Sequence, residues 1–196
     1  IGLPLSIAVS IYITELAPTR VAAVVSSFIE LLAGIPSVIY GLVGMVVLCP
    51  LLYRTELVIY SNDPAHQYSG GSNMLACVCV LAIMVLPTMI GMSVSALRSV
   101  PTSLRASSYA LGATRIQTIV KVVIPAAKSG IFAAIVLGVG RALGEAMAIS
   151  MVAGGGVNLP LPFASVRLLT TQLVSEMSYA QGLHKEALFA VGVVLY

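Results

Sequence analysis

Residues 74–97 form a run of 24 positions without a single Asp, Glu, Lys, Arg or His. As a helix, that run is about 36 Å long at 1.5 Å per residue, enough to cross roughly 30 Å of hydrocarbon. Inside a bilayer every backbone amide must be satisfied internally, and an apolar run without period-two alternation does so as a helix. Two further runs are long enough, 21–49 with only Glu30 charged and 129–153 with only Arg141 and Glu145. Across 196 residues, 59% are hydrophobic and 9% charged. A soluble domain carries far more charge, so lipid is the expected solvent.

Two outer runs look cut: residues 1–17 begin in mid-run, and 187–196 stop after ten apolar residues. The chain therefore reads as a fragment of a longer polytopic protein. Cys49, Cys77 and Cys79 lie in or at the end of apolar runs, where packing is the expected role rather than metal binding. The polar connections differ in charge. Residues 98–128 hold Arg98, Arg105, Arg115, Lys121 and Lys128 with no acid, whereas 54–73 hold Arg54 with Glu56 and Asp63, and 154–186 mix both signs. The Lys/Arg excess puts 98–128 in the cytoplasm and, by alternation, 54–73 and 154–186 outside.

Glycines and prolines interrupt the spans, as in "ELLAGIPSVIYGLVG" at 30–44 and "VLPTMIGM" around Pro87 and Gly91. Such residues kink helices or let them pack closely. "GGGVNLPLP" opens the segment 154–186 as a turn-rich stretch suited to a re-entrant loop. The cytoplasmic stretch "SLRASSYALGATRIQTIVKVVIPAAKSG" predicts a helical elbow. Pro101 ends the preceding helix, Ser103 is the expected N-cap, Gly112 allows the bend, and Pro125 opens the next span. Lipid crossing does not require an elbow, so it is expected to dock onto a cytosolic partner; an ordinary basic loop that fixes topology is the plainer alternative.

In this elbow Gly112, Val122 and the pair Ile124-Pro125 fall at the spacing E-A-A-x3-G-x9-I-x-L-P. That pattern resembles the cytoplasmic signature of the permease subunits of binding-protein-dependent ABC importers. Ala106-Ser107-Ser108 fills the first triplet, so alanine stands at the glutamate position, and Arg105 and Arg115 are left to meet acidic partners. "ELLAGIPSVIYGLVG", "YALGATRIQTIVKVVIPAAKSGI", "GVGRALGEAMAISMVAGG" and "HKEALFAVGVVLY", in this order, are similar to the PstC family of phosphate-importer permeases. The resemblance implies an all-α, polytopic transmembrane bundle, with about five of six spans present and both ends truncated. It implies one permease domain over 1–196 and a coupling helix at 103–117 seated on an ATPase. Arg105, Ser107, Ser108, Gly112, Ala113, Thr114, Arg115 and Pro125 would make or shape that contact. Implied partners are a sister permease resembling PstA, an ATPase dimer resembling PstB carrying ATP and magnesium, and an external phosphate-binding protein resembling PstS. The implied location is a bacterial or archaeal plasma membrane.

Arg141 and Glu145 stand out within 129–153. Counted from Ser129, they fall roughly 18 and 24 Å along a continuous helix, too deep to snorkel easily. An unpaired Arg at a helix centre costs at least about 2.5 to 3.5 kcal/mol, and intramembrane charges commonly mark pathways. Spacing of four puts both on one face of an unbroken helix. A guanidinium bonds two phosphate oxygens at once, and a carboxylate can hold that fork or accept the proton of a protonated phosphate. The resemblance places "RALGE" in the substrate pathway; a structural pair docked against the sister permease is the alternative. Glu30 is a further candidate, with snorkelling or helix contact as its expected role.

"GVGRALG" lies within a span rather than after a strand, so it is a packing stripe and no dinucleotide motif. No Walker A sequence occurs, which assigns ATP hydrolysis to another chain and leaves this one without a cofactor or metal of its own. His66 and His184 are expected as surface polar residues of outer loops. The reading is a non-enzymatic permease subunit of an ATP-driven phosphate importer, with transport of molybdate or sulfate, or phosphate sensing in the membrane, as alternatives.

Overall fold

The computed structural model describes residues 2–61 and 66–196. Asp63, counted above among the charges of 54–73, lies outside them. Among the described residues every regular element is helical, and the one extended pairing is an isolated bridge between Gly154 and Val166. The helices are α1 (Gly2–Leu16), α2 (Thr19–Ala33), α3 (Ser37–Ile59), α4 (Met74–Arg98), α5 (Thr102–Ala110), α6 (Arg115–Ala126), α7 (Lys128–Leu143), α8 (Met147–Val152), α9 (Leu169–Glu176) and α10 (Leu183–Leu195). The chain is an all-α, multi-pass membrane protein: α3 and α4 are each long and apolar enough to cross a bilayer. α6 and α7 make a third crossing if taken together, and they meet at a 67° bend.

Helix boundaries depart from the sequence expectation in four places. The run 21–49 is not one span: α2 ends at Gly34, and the crossing helix starts after Pro36 and continues to Ile59. Proline at position 36 disfavours a helical conformation at residue 35, which breaks the run. The run 129–153 is also cut, after Leu143. Conversely, α4 runs unbroken through Pro87. At the elbow the helix begins at Thr102 with Pro101 in the cap position, so Ser103 is no N-cap, and Pro125 sits inside α6 rather than opening a span. Wide π-helical turns at 12–16, 44–48 and 119–123 each precede a proline by two residues: Pro18, Pro50 and Pro125. A proline ring clashes with the carbonyl four residues back, and a widened turn relieves that clash within α3 and α6.

The chain parts into two compact units, Ile1–Gly34 with Val85–Arg141, and Ile35–Met84 with Ala142–Tyr196. In the first, Leu97 and Val100 pack on Val123, Ala127 and Ile131, while Ile13 packs on Ile90 and Val94. In the second, Cys49, Ala76, Cys77 and Val80 pack with Ala148, Ile149 and Val152. The cysteines are free and two of the three are buried, as packing residues should be. Phe28, Leu31, Val46 and Phe132 are instead well exposed, an apolar skin suited to lipid or to neighbouring subunits.

The second unit also holds a buried polar cluster. Glu56 is fully buried and accepts from Ser69 N (3.0 Å), Ser69 Oγ (2.9 Å) and His66 Nε2 (3.0 Å). His66 stacks on Tyr60 with ring centroids 3.7 Å apart, so it is a built-in residue and not the surface polar group expected. Asn73 Oδ1 accepts from Ala76 N, while Met74 N and Leu75 N donate to the carbonyls of Ala164 and Pro162, which satisfies the free amides that open α4. Gly71 has φ +85°, and a Cβ there would lie 1.9 Å from the Cys49 carbonyl oxygen, so this turn requires glycine.

Candidate functional site

Small residues bring Arg141 to its partner. Along α7, Gly130, Ala134 and Gly138 recur every four residues and form one narrow stripe. A Cβ at Gly130 would come 2.5 Å from Ala96 Cβ, and one at Gly138 would come 2.5 Å from Met89 Cγ. These contacts seat α7 antiparallel against α4. Three residues beyond Gly138, Arg141 Nη1 donates to Thr88 Oγ1 at 2.5 Å. Arg141 lies about 20 Å along α7 from Lys128 at 1.5 Å per residue. Its partner is a neutral hydroxyl rather than a carboxylate, which leaves the positive charge uncompensated by that bond and open to an anion.

Glu145 does not share this helical face. α7 ends at Leu143, Glu145 N closes a last tight turn onto Ala142 O, and Glu145 Oε1 accepts from Ala148 N at 3.0 Å. The carboxylate thus caps the start of α8, and that local bond competes with continuing the helix. Glu145 instead lines a cavity of about 430 Å³ in the second unit, together with Arg167, Leu81 and Leu168. Arg167 is clasped there: Nε donates to Gly155 O, and Nη1 to Gln172 Oε1 and Glu176 Oε1. Glu176 also meets His184 Nε2 at 2.9 Å.

The elbow is two short helices joined at Gly112, whose φ of +82° makes the bend. Thr114 and Gln117 form a reciprocal capping box at the start of α6, and Ser108 Oγ meets Thr118 Oγ1 at 2.9 Å across the bend. Ser107 and Ala113 flank this joint, with Ser107 exposed. Arg105 does not face outward as expected. Its Nη1 lies 2.7 Å from Glu15 Oε1, and Nη2 donates to Leu97 O. The first contact is electrostatic rather than an aligned hydrogen bond: neither Glu15 Oε1 nor Arg105 Nε completes one among the described residues. Arg115 Nη2 donates to the Glu15 backbone carbonyl. One residue at the end of α1 therefore anchors the elbow twice: the Glu15 carboxylate holds Arg105 and the Glu15 backbone carbonyl holds Arg115. Leu111 and Ile116 are 89% and 70% exposed on the elbow, beside an exposed Arg115 and Gln117.

Glu15→Gln is expected to loosen this anchor. Removing one member of a buried pair costs about 3 to 5 kcal/mol, discounted to about 2 for a half-buried Arg105. Two kcal/mol is roughly a 30-fold change in local opening. Limited trypsin digestion of the full-length subunit should then cut after Arg105 correspondingly faster; an unchanged rate refutes the anchor.

Thr88, Glu15 and Arg167 escaped the sequence reading. Glu15 carried a usable signal, since it is the only charge in its apolar run, and the rule that singled out Arg141 applies equally to it. Thr88 and Arg167 carried none. Among the described residues no group of three or more His, Cys, Asp or Glu is placed to hold a metal.

A family model described as the binding-protein-dependent transport system inner membrane component matches residues 2–196. The chain is 43% identical over 198 residues to the probable ABC transporter permease protein YqgH of Bacillus subtilis, covering 100% of this chain and 61% of that protein. It is 36% identical to the phosphate transport system permease protein PstC of Pasteurella multocida, covering 100% and 64%. To PstC of Haemophilus influenzae it is 34% identical, covering 100% and 65%. The chain thus spans 61 to 65% of the length of these relatives.

Proposed function

This chain belongs to the family of binding-protein-dependent transport system inner membrane components, and from that premise we propose that it forms part of the transmembrane path of an ATP-driven phosphate importer. One observation carries the reading: a guanidinium about 20 Å along an apolar helix, held by a neutral hydroxyl and without an ion pair among the described residues. The names of the PstC relatives support phosphate as that anion, whereas the Bacillus relative's name gives no substrate. A single cation suits passage, because a tight cage would trap the ion. Affinity then belongs to an external binding protein.

In this proposal the elbow, with Leu111 and Ile116 at its tip, seats on a partner ATPase that supplies ATP and magnesium. Movement of that seat reaches α1 through Glu15 and the α4 terminus through the Arg105 bond to Leu97 O. Arg141 would contact the anion, and Glu145 is the second residue proposed for the pathway. A sister permease would complete the pathway, and the membrane would be a bacterial or archaeal plasma membrane with 98–128 on the cytoplasmic side.

Radiolabelled uptake by the full complex in vesicles tests the substrate. ATP-dependent entry of phosphate, unaffected by a tenfold excess of sulfate or molybdate, is the expected result. Entry of sulfate or molybdate in place of phosphate overturns the reading.

A further inference from the structure

Within the first unit, a cleft of about 230 Å³ opens between α2 and α4. Its α2 wall carries Ser26 and Glu30, one turn apart, and its α4 wall carries Gly91, Ser95 and Arg98, also on one face. The Ser26 hydroxyl oxygen is buried yet finds no hydrogen-bond partner among the described residues. A buried hydroxyl without a partner calls for a water or ligand to satisfy it. A Cβ built on Gly91 meets nothing within 4 Å, so the floor of the cleft is open space.

The size and lining select a ligand class. Pockets for drug-sized molecules run about 300–1,000 Å³, so this cleft suits a small hydrated ion. Arg98 supplies positive charge and fixed donors, and the two serine hydroxyls can donate or accept. Glu30 offers only acceptors and would repel an anion that has no proton to share. The rest of the lining is apolar (Ile13, Ile29, Ile90 and Val94), and an anion bearing both charged oxygens and an O–H meets each of the polar groups: it accepts from Arg98 and donates to Glu30. Protonated phosphate has that pattern, and fully deprotonated sulfate does not.

We propose that this cleft is a second phosphate station, in which Arg98 binds the anion and Glu30 receives the P–OH hydrogen bond, on the side of the membrane where α4 ends. It rests on the phosphate reading above and adds to it a site separate from Arg141. A lipid phosphate headgroup shares this chemistry, and the test below separates the two sources.

Ser95→Cys in the full complex, reconstituted in vesicles of neutral lipid, provides a reporter labelled by an anionic methanethiosulfonate; the complex without that substitution gives the background of native cysteines. Inorganic phosphate at about ten times its Kd is expected to slow labelling roughly tenfold, following 1 + [L]/Kd, while sulfate does not. Adding Arg98→Gln should abolish protection, Arg98→Lys should restore part of it, and Glu30→Gln should extend protection to sulfate. Gly91→Leu, which fills the cleft without touching a charge, should block labelling itself, and Arg141→Gln should leave protection intact. Protection lost in Arg141→Gln but retained in Arg98→Gln overturns the second station and leaves the proposed function standing. Protection by sulfate but not phosphate in the otherwise unaltered complex overturns both. Labelling that slows with added anionic lipid and ignores inorganic phosphate makes the cleft a headgroup seat, which also overturns the proposal.

Discussion

Exchanging Arg141 for glutamine is expected to cut phosphate uptake by the assembled transporter roughly 100-fold, the scale set by about 3 kcal/mol for losing one partner of a buried charged contact. Glutamine keeps much of the length and can still donate to Thr88 Oγ1, which Arg141 Nη1 reaches at 2.5 Å. The variant therefore removes charge while largely preserving packing. Arg141→Lys should recover part of the rate, since it restores the charge without the planar fork. Thermal stability separates function from architecture here. A cation in an apolar helix costs the fold at least about 2.5 kcal/mol when unpaired, so glutamine should leave the thermal midpoint unchanged or raise it. Thr88→Val is expected to reduce uptake by a smaller factor, near the roughly tenfold that one hydrogen bond to a charged group is worth. Uptake in Arg141→Gln equal to wild type, at matched complex per vesicle, removes the pathway role.

The parts of this architecture written in local chemistry were legible in the sequence. An uncharged run from 74 to 97 becomes a helix whatever surrounds it, and Gly112 between two short helical patterns marks a bend that needs a positive φ. The misread parts depend on competition or on distance. Residues 142–146 could have continued a helix, but glycine at 144 weakens it and Glu145 gains more by capping Ala148 N. That choice parts Glu145 from Arg141's helical face, which spacing alone could not foresee. Arg105 looked like a free surface cation because its acid, Glu15, lies far back in sequence at the end of a different apolar run. Thr88 likewise meets Arg141 across 53 positions. Periodicity speaks for residues within a few turns of one another; pairs brought together by helix packing carry no such mark.

Gly41→Val is expected to lower stability more than any other single glycine exchange within α3. The core of the second unit depends on α3 and α8 approaching until backbone meets backbone. A Cβ at Gly41 would sit 2.8 Å from Ala148 Cα and 2.9 Å from Ala148 O. Ala148 is fully buried among Ile149, Val152 and Cys77, so it cannot retreat without opening that cluster. Overpacking of this kind costs about 1 to 3 kcal/mol or more, and a backbone obstacle belongs at the upper end because no rotamer relieves it. At Gly44, one turn on, the nearest atoms are Val80 Cγ2 at 2.6 Å and Val152 Cγ1 at 3.0 Å. Those are side-chain methyls that a χ1 change can move, so Gly44→Ala should cost less than Gly41→Ala. Gly192, within α10, has nothing within 4 Å of its would-be Cβ. Gly192→Ala should raise stability by up to about 1 kcal/mol, the helix propensity gained. Thermal unfolding of the full-length subunit in its complex reads the series directly. The order Gly41→Val, Gly41→Ala, Gly44→Ala, wild type, Gly192→Ala, from lowest midpoint to highest, is required if close backbone approach is what joins α3 to α8. An unperturbed midpoint in Gly41→Val means the two helices do not meet there.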